Sequence, residues 1–229
     1  NFSPLAGEPQ TPWLLSTTPL NQRAKTCAVI GAGLAGCHAA RALAEAGFQV
    51  SVFERDSSIA NAASGNPEGA LYTKLSSHTG QLTEYSLAAF AYAISHYQQD
   101  YLNDSFTPCG LLQQAPFEQA LDDLLKLAGL GEWLDAEQAS QKAGIKLTQG
   151  GWWLPKAGAL KPREVCKALL DHPNIQLQLN ADVQAIIQQG NNWQLEGEFS
   201  GTEKTFGHIV CASALSIEKL TGCAPLKPV

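Results

Sequence analysis

The sequence predicts an α/β fold organised by a βαβ unit near its start. Three observations predict it. Thr26-Cys27-Ala28-Val29-Ile30 is a short, largely apolar run of strand length. Gly31-Ala32-Gly33-Leu34-Ala35-Gly36 follows at once and opens an Ala-rich helical stretch that stops at Gly47. A second apolar run, Val50-Ser51-Val52-Phe53, then ends on the acid Glu54.

Strand, glycine turn, helix, strand and acid, in that order, form the Rossmann-like unit that binds a dinucleotide. Gly31 allows the tight turn out of the first strand. Gly33 leaves no side chain between the backbone and a pyrophosphate, and Gly36 lets the helix pack close to the sheet. Leu34, Ala35 and Gly36 begin the helix, whose free N–H groups and positive dipole end face the phosphates. Glu54 can accept hydrogen bonds from both ribose hydroxyls and disfavours a 2′-phosphate, which argues against NADP. Arg55, next to it, joins the candidate cofactor-binding residues.

The 229 residues are 45% hydrophobic and 16% charged, an ordinary globular composition with material for a sizeable core. No stretch approaches the roughly 20 uninterrupted apolar residues that span a bilayer, and no basic-apolar leader is present, so no membrane association is expected. Asn1-Phe2-Ser3-Pro4 reads as the start of a piece cut from a longer chain. The six cysteines (Cys27, Cys37, Cys109, Cys166, Cys211 and Cys223) form no CxxC pair and no zinc spacing, so no metal is expected. Cys27 and Cys211 read as buried small apolar residues in strands, and reduced thiols point to a cytoplasmic setting. The net charge of −6 argues against a broad nucleic-acid surface on this chain alone and leaves room for a local basic patch. Nothing physical explains the absence of methionine.

Residues 1–25 carry Pro4, Pro9, Pro12 and Pro19 and read as a linker or arm. Residues 56–75 read as loop. Leu82–Leu102 reads as one long helix, with Leu87, Phe90, Ala91, Ile94 and Tyr97 as its core stripe. Cys109–Gln114 is strand-like, Pro116–Leu127 helical, and Asp135–Ala139 a short helix. Pro162 opens a helix through Leu170. Ile175–Leu179 alternates as a strand. Val183–Gln188 and Trp193–Phe199 pair across Gly190-Asn191-Asn192, and His208–Ala212 reads as a buried strand.

The glycine fingerprint, then Ala62-Ala63-Ser64-Gly65-Asn66-Pro67-Glu68-Gly69-Ala70-Leu71-Tyr72, then Gly150-Gly151-Trp152 to Pro155, resembles the FAD-dependent D-amino-acid oxidase superfamily. The ASGN..GALY wording and the Thr11-Pro12-Trp13 arm resemble a narrower group. This is the FAD oxidoreductase domain of the bifunctional tRNA 5-methylaminomethyl-2-thiouridine biosynthesis proteins, where it follows a methyltransferase domain. The resemblance runs from Thr11 over most of the chain. It implies a Rossmann-like FAD-binding domain with part of an antiparallel α+β substrate domain, C-terminally incomplete. Residues 26–229 would form the incomplete oxidoreductase domain, with roughly 103–160 as its substrate-domain portion.

The resemblance also assigns residues. The 62–72 stretch would cross near the pyrophosphate and the isoalloxazine ring. Ala63, Ser64, Gly65, Gly69, Ala70 and Leu71 would let the backbone come close, and Ser64 and Asn66 would add side-chain hydrogen bonds. Val183 would touch the adenine through its backbone, and Ala212 would approach the flavin nucleotide. The sequence departs from the family at Tyr72-Thr73-Lys74-Leu75, where an apolar or Pro-containing stretch is expected after the tyrosine.

The implied reaction is FAD-dependent removal of the carboxymethyl group from 5-carboxymethylaminomethyl-(2-thio)uridine at the tRNA wobble position. Hydride loss from the C–N unit and hydrolysis of the imine would leave the aminomethyl form. The companion domain would then methylate it with S-adenosylmethionine. The rivals are a free glycine or D-amino-acid oxidase on the same scaffold and an inactive nucleotide-binding fragment. No catalytic side chain is assigned. His38, His78, His96, His172 and His208 are expected to form no cluster and Trp152 and Trp153 to be packing residues; Lys161 and Arg163 could meet a carboxylate or phosphate, but solvated surface is the expectation.

Overall fold

The computed structural model describes residues 24–73, 81–114, 129–199 and 205–222. The expected helix over Pro116–Leu127, Lys74, Leu75, His78, Cys223 and nearly all of the N-terminal arm lie outside these residues. In chain order the βαβ start comprises β1 (Thr26–Ile30), α1 (Leu34–Glu45) and β2 (Gln49–Phe53). Then follow β3 (Gly69–Leu71), α2 (Gln81–His96), β4 (Phe106–Thr107), β5 (Leu111–Gln114), β6 (Glu132–Leu134) and α3 (Ala136–Ala143). Next come β7 (Gly151–Leu154), β8 (Gly158–Leu160), α4 (Pro162–Leu170), β9 (Ile175–Gln178), β10 (Asp182–Gln189) and β11 (Asn192–Glu198). The described part closes with β12 (Thr205–Phe206), β13 (His208–Cys211) and α5 (Ile217–Thr221).

A parallel sheet in the order β13-β1-β2-β9 is the centre of the molecule. Val29 of β1 stands opposite Val52 of β2 and Val210 of β13. The inner strands read as continuous apolar runs because both faces of the sheet are covered. On one face α1 and α4 bury Cys37, Ala40, Ala44, Cys166 and Leu169 against Val29 and Val52. The small residues of α1 let it lie close to the strands. On the other face Ala28, Ile30 and Phe53 meet Val183, Leu195 and Phe206 of the antiparallel sheet β10-β11-β12. Among these, each fully buried Val, Leu, Ile or Phe side chain stabilises the fold by roughly 1.5–3 kcal/mol.

Two further antiparallel sheets, β3-β8-β4 and β5-β7-β6, stand beside this unit. Trp152 and Leu154 of β7, both fully buried, pack with Leu87, Phe90 and Ile94 of α2. Of the expected core stripe, Leu87, Phe90 and Ile94 of α2 and Tyr97 just after it are buried, whereas Ala91 is exposed.

The structure differs from several expectations. The 56–75 loop contains a 3₁₀ turn at Ala63–Gly65 and strand β3, which pairs Gly69 with Leu160 and Leu71 with Gly158 of β8. Pairing across such a distance leaves no local sequence period. The helix expected over Leu82–Leu102 ends at His96, and a 3₁₀ segment at Asp100–Ser105 follows. The polar run Gln98-Gln99-Asp100 supplies no apolar stripe to carry the helix on, and the tighter turn brings Leu102 to full burial against the α1/α4 core. The strand β5 begins at Leu111, after a turn in which the Trp153 ring fills the space over Gly110. The strand β13 is half-buried along its length, and so is Cys211, because β13 is an edge of the parallel sheet as described. Cys27, on the inner strand β1, is fully buried as expected.

Candidate functional site

The glycine turn joins the ends of three strands. Gly31 has φ +105°, a left-handed conformation that favours glycine, and a Cβ there would lie 2.7 Å from the Ala212 carbonyl oxygen. The Gly31 N–H donates to the Phe53 carbonyl at 2.8 Å, and the Ala212 N–H donates to Ile30 at 2.8 Å. Gly36 has its helical face on the Gly31 carbonyl, and any Cβ would overlap that oxygen. A Cβ on Gly33 would come within 3.1 Å of Ser64 Oγ. Gly31 and Gly36 are thus required by neighbouring backbone oxygens of the protein itself, whereas Gly33 is crowded only by the Ser64 hydroxyl.

Glu54 sits over this turn. Its Oε2 accepts the Ala32 N–H at 2.8 Å and its Oε1 accepts the Asp56 N–H at 3.1 Å. The expected ribose acceptor therefore also holds the turn. An ionised carboxylate has about four acceptor positions, so two backbone donors leave capacity for hydroxyl groups. Its own backbone is fixed on both sides, the N–H by Gln178 and the carbonyl by Ala181. That second bond sets β10, and with it Val183, beside the acid. The Val183 side chain is buried in the core against Ala28 and Ile30, so only its backbone is available at the site.

The 3₁₀ turn from the 62–72 stretch closes the opposite side. Ser64 Oγ accepts the Leu34 N–H at 3.1 Å, which serves α1 where Gly33, as N-cap, has no side chain to do so. The Ala35 and Gly36 N–H groups take no partner among the described residues. Ala60 donates its N–H to Ala32 at 3.0 Å and pins the loop to the glycine turn. Gly65 faces the Ala60 carbonyl, and Ala63, Asn66 and Ala70 are exposed. Gly69 and Leu71 are half-buried on β3. Arg55 is exposed and directed into no described contact.

Gly31, Gly33, Gly36, Leu34, Glu54, Ser64 and Ala212 are therefore brought together, while Arg55 and Ala70 stand at the surface. Three participants escaped the sequence reading. Ala32 and Ala60 act through backbone atoms, which carry no residue signature. Ser213 follows Ala212 at the glycine turn with its Oγ buried and unpartnered. Free helix N–H groups, an acid with spare acceptor capacity and an orphaned hydroxyl fit the phosphate and ribose portions of a dinucleotide.

Thr73, in the stretch that departs from the family wording, is buried with its Oγ1 unpartnered. The histidines are not all scattered. His38 of α1 and His96 of α2 lie with ring centroids 4.9 Å apart, and His38 Nε2 is 2.9 Å from the Tyr97 hydroxyl. Antiparallel sequence distance hid this, since α1 and α2 meet only in the folded chain. Burial pushes the His38 pKa down to about 4, helped by His96, and pushes the Tyr97 hydroxyl up to about 12. Both are neutral at physiological pH. Across α1 and α4, the buried Cys37 thiol is raised by its hydrogen bond with Cys166 and by burial, which keeps it protonated and unreactive. No group of three or more metal-binding side chains occurs among the described residues, and no described helix is long and apolar enough to cross a membrane.

Residues 26–229 match the FAD dependent oxidoreductase family (DAO). The chain is 36% identical over 239 aligned positions to the tRNA 5-methylaminomethyl-2-thiouridine biosynthesis bifunctional protein MnmC of Pseudomonas entomophila, an alignment covering 100% of this chain and 36% of that protein. It is 38% identical over 180 positions to the protein of the same name from Methylobacillus flagellatus, covering 76% of this chain and 28% of that one. The chain thus spans about a third of these relatives' length. Among solved structures it is similar to glycine oxidase from Geobacillus kaustophilus, with a TM-score of 0.64 and 21% identity over 86% of this chain and 57% of that one. Fructosamine oxidase from Aspergillus fumigatus gives the same TM-score at 17% identity, over 86% of this chain and 50% of that one. These structures share the fold: a parallel sheet flanked by helices with antiparallel sheets beside it. The chain belongs to the FAD dependent oxidoreductase family, whose cofactor is FAD.

Proposed function

We propose that this chain is the FAD-binding portion of an enzyme that oxidatively removes the carboxymethyl group from 5-carboxymethylaminomethyl-(2-thio)uridine at the tRNA wobble position. The observation that carries the reading is the 36% identity to the Pseudomonas bifunctional protein along the whole chain. The site geometry supports the cofactor half of it. Gly31, Gly33 and Gly36 would admit the pyrophosphate, the Ala35 and Gly36 N–H groups would meet its oxygens, and Glu54 would take the adenosine ribose. The backbone at Val183 would face the adenine. Ser64, Gly65 and Asn66 would line the path towards the flavin ring, with β3 and Ala212 at its sides.

FAD, when bound, supplies the two-electron oxidation of the substrate C–N unit. This chain's residues would bind the cofactor, fix its orientation against the substrate and exclude water along the half-buried glycine turn. The antiparallel sheet β5-β7-β6, which lies within 103–160, would begin the substrate domain. The fused methyltransferase domain would act on the amine so produced.

The test uses the full-length protein with bound flavin and tRNA from cells lacking this modification step. Conversion of the carboxymethylaminomethyl nucleoside to the aminomethyl form, read by nucleoside chromatography, is the expected result. Turnover of glycine or D-alanine with no change in that nucleoside would replace the reading with a free amino-acid oxidase.

A further inference from the structure

A cleft of about 340 Å³ opens beside the candidate cofactor loop. Gly65, Asn66 and Pro67 line one wall, and Lys161, Arg163 and Glu164 line the other. The two cations are oddly placed. Lys161 is the N-cap of α4 and Arg163 lies in its first turn, at the positive end of the helix dipole, where a cation is disfavoured. Glu164, the acid closest in sequence, is paired with Lys167 at 2.8 Å, and Lys161 and Arg163 have no ion pair or side-chain hydrogen bond among the described residues. Glu68 follows the first wall in the sequence but does not line the cleft. In a chain with a net charge of −6, two unpaired cations facing a wall of small residues form a local field of opposite sign.

We infer that Lys161 and Arg163 hold a backbone phosphate of the RNA strand whose modified base is presented to the flavin. The inference rests on the function proposed above and names a contact of its substrate. A guanidinium offers two parallel N–H groups to phosphate oxygens, and an ammonium adds a compact charge. The small residues opposite let a ribose-phosphate approach, and the exposed Asn66 amide can donate to it. A phosphate seated here lies next to the loop assigned to the flavin, the place at which a nucleotide neighbouring the target base must be held. Cations at this cleft also offset the general repulsion between an acidic chain and a polyanion.

The experiment uses full-length, flavin-loaded protein and compares wild type with Lys161→Ala, Arg163→Ala, the double variant and Arg163→Lys. Flavin content, tRNA affinity across a salt series, and KM and kcat for the tRNA nucleoside are measured. Each single alanine variant is expected to raise KM several-fold, and the double variant to lower the slope of log affinity against log salt by about one to two. The expectation includes kcat within about twofold of wild type, unchanged flavin content and partial retention of affinity in Arg163→Lys. A double variant with wild-type affinity and salt slope overturns the inference, as does one that loses flavin while its residual tRNA affinity keeps the wild-type slope. If wild-type protein leaves the tRNA nucleoside unchanged, the functional reading fails. If wild type turns over and the double variant matches it, only this inference fails.

Discussion

The Glu54 carboxylate accepts the Ala32 N–H at 2.8 Å, so the acid that ends β2 is tied to the glycine turn that follows β1. The side chain expected to read the ribose also organises the turn that would receive the phosphates. Its removal therefore has two separable effects.

Glu54→Ala should lower FAD retention by of order 1–3 kcal/mol, the range for charge-assisted hydrogen bonds. It should also destabilise the flavin-free protein by freeing the Ala32 and Asp56 N–H groups. Glu54→Gln keeps an acceptor for Ala32 and should recover most of that stability while still binding FAD less tightly. Flavin content after dialysis and denaturant midpoints of apo-protein separate the two; equal midpoints for Ala and Gln variants would remove the structural role.

Gly33→Ala should weaken FAD binding with a small loss of stability. The new methyl would press on Ser64 Oγ from 3.1 Å and loosen its bond to Leu34. That bond is worth about 1 kcal/mol. Adding Ser64→Ala should relieve the pressure without restoring FAD affinity. Recovery of tight binding in the double variant would mean that the phosphates do not approach Gly33.

Gly36→Ala should behave differently, because its methyl meets the Gly31 carbonyl and not a mobile side chain. α1 would have to move off the turn, and the cost should reach at least about 1–3 kcal/mol, typical of overpacking. Urea denaturation of the flavin-free variant measures it; a wild-type midpoint would show that the helix shifts freely.

Stability should depend on His38 in mild acid. The unfolded imidazole takes up a proton near 6.5, whereas the buried one does so only at about 4. Between those values the unfolded state binds more protons, so the contribution is complete above about 6.5 and is lost as pH falls towards 4. His38→Gln, which can still meet the Tyr97 hydroxyl, should flatten that part of the profile. Denaturation series at several pH values with unchanged slopes would exclude His38 as the source.

The βαβ unit was legible because each of its residues acts locally. A glycine in a turn, an apolar run of strand length and an acid at a strand end have their meaning within a few residues. The pairing β10-β11 was legible for the same reason, through the Gly190 turn. The rest depended on contacts between distant segments. Ser64 serving α1, Ala60 holding Ala32, and His38 meeting His96 and Tyr97 leave no periodicity in the chain. Strand β3 has three residues, too few to show an alternating pattern, and the half-buried state of β13 follows from its place at the sheet edge. Lys161 and Arg163 read as ordinary surface because only the folded chain sets them across from Gly65 and Pro67.

The glycine turn is where β1, β2 and the segment after β13 converge, so Ile30, Phe53 and Ala212 meet although the chain between them builds most of the molecule. A nucleotide seated there acts as a clasp between the first and last strands of the parallel sheet. Its binding energy is then also folding energy: at a free concentration one hundred times the dissociation constant, a ligand specific for the native state adds about 2.7 kcal/mol. Cofactor supply would set how much of this protein survives in the cell, and substitutions far from the turn would show first as lost flavin and only later as lost fold.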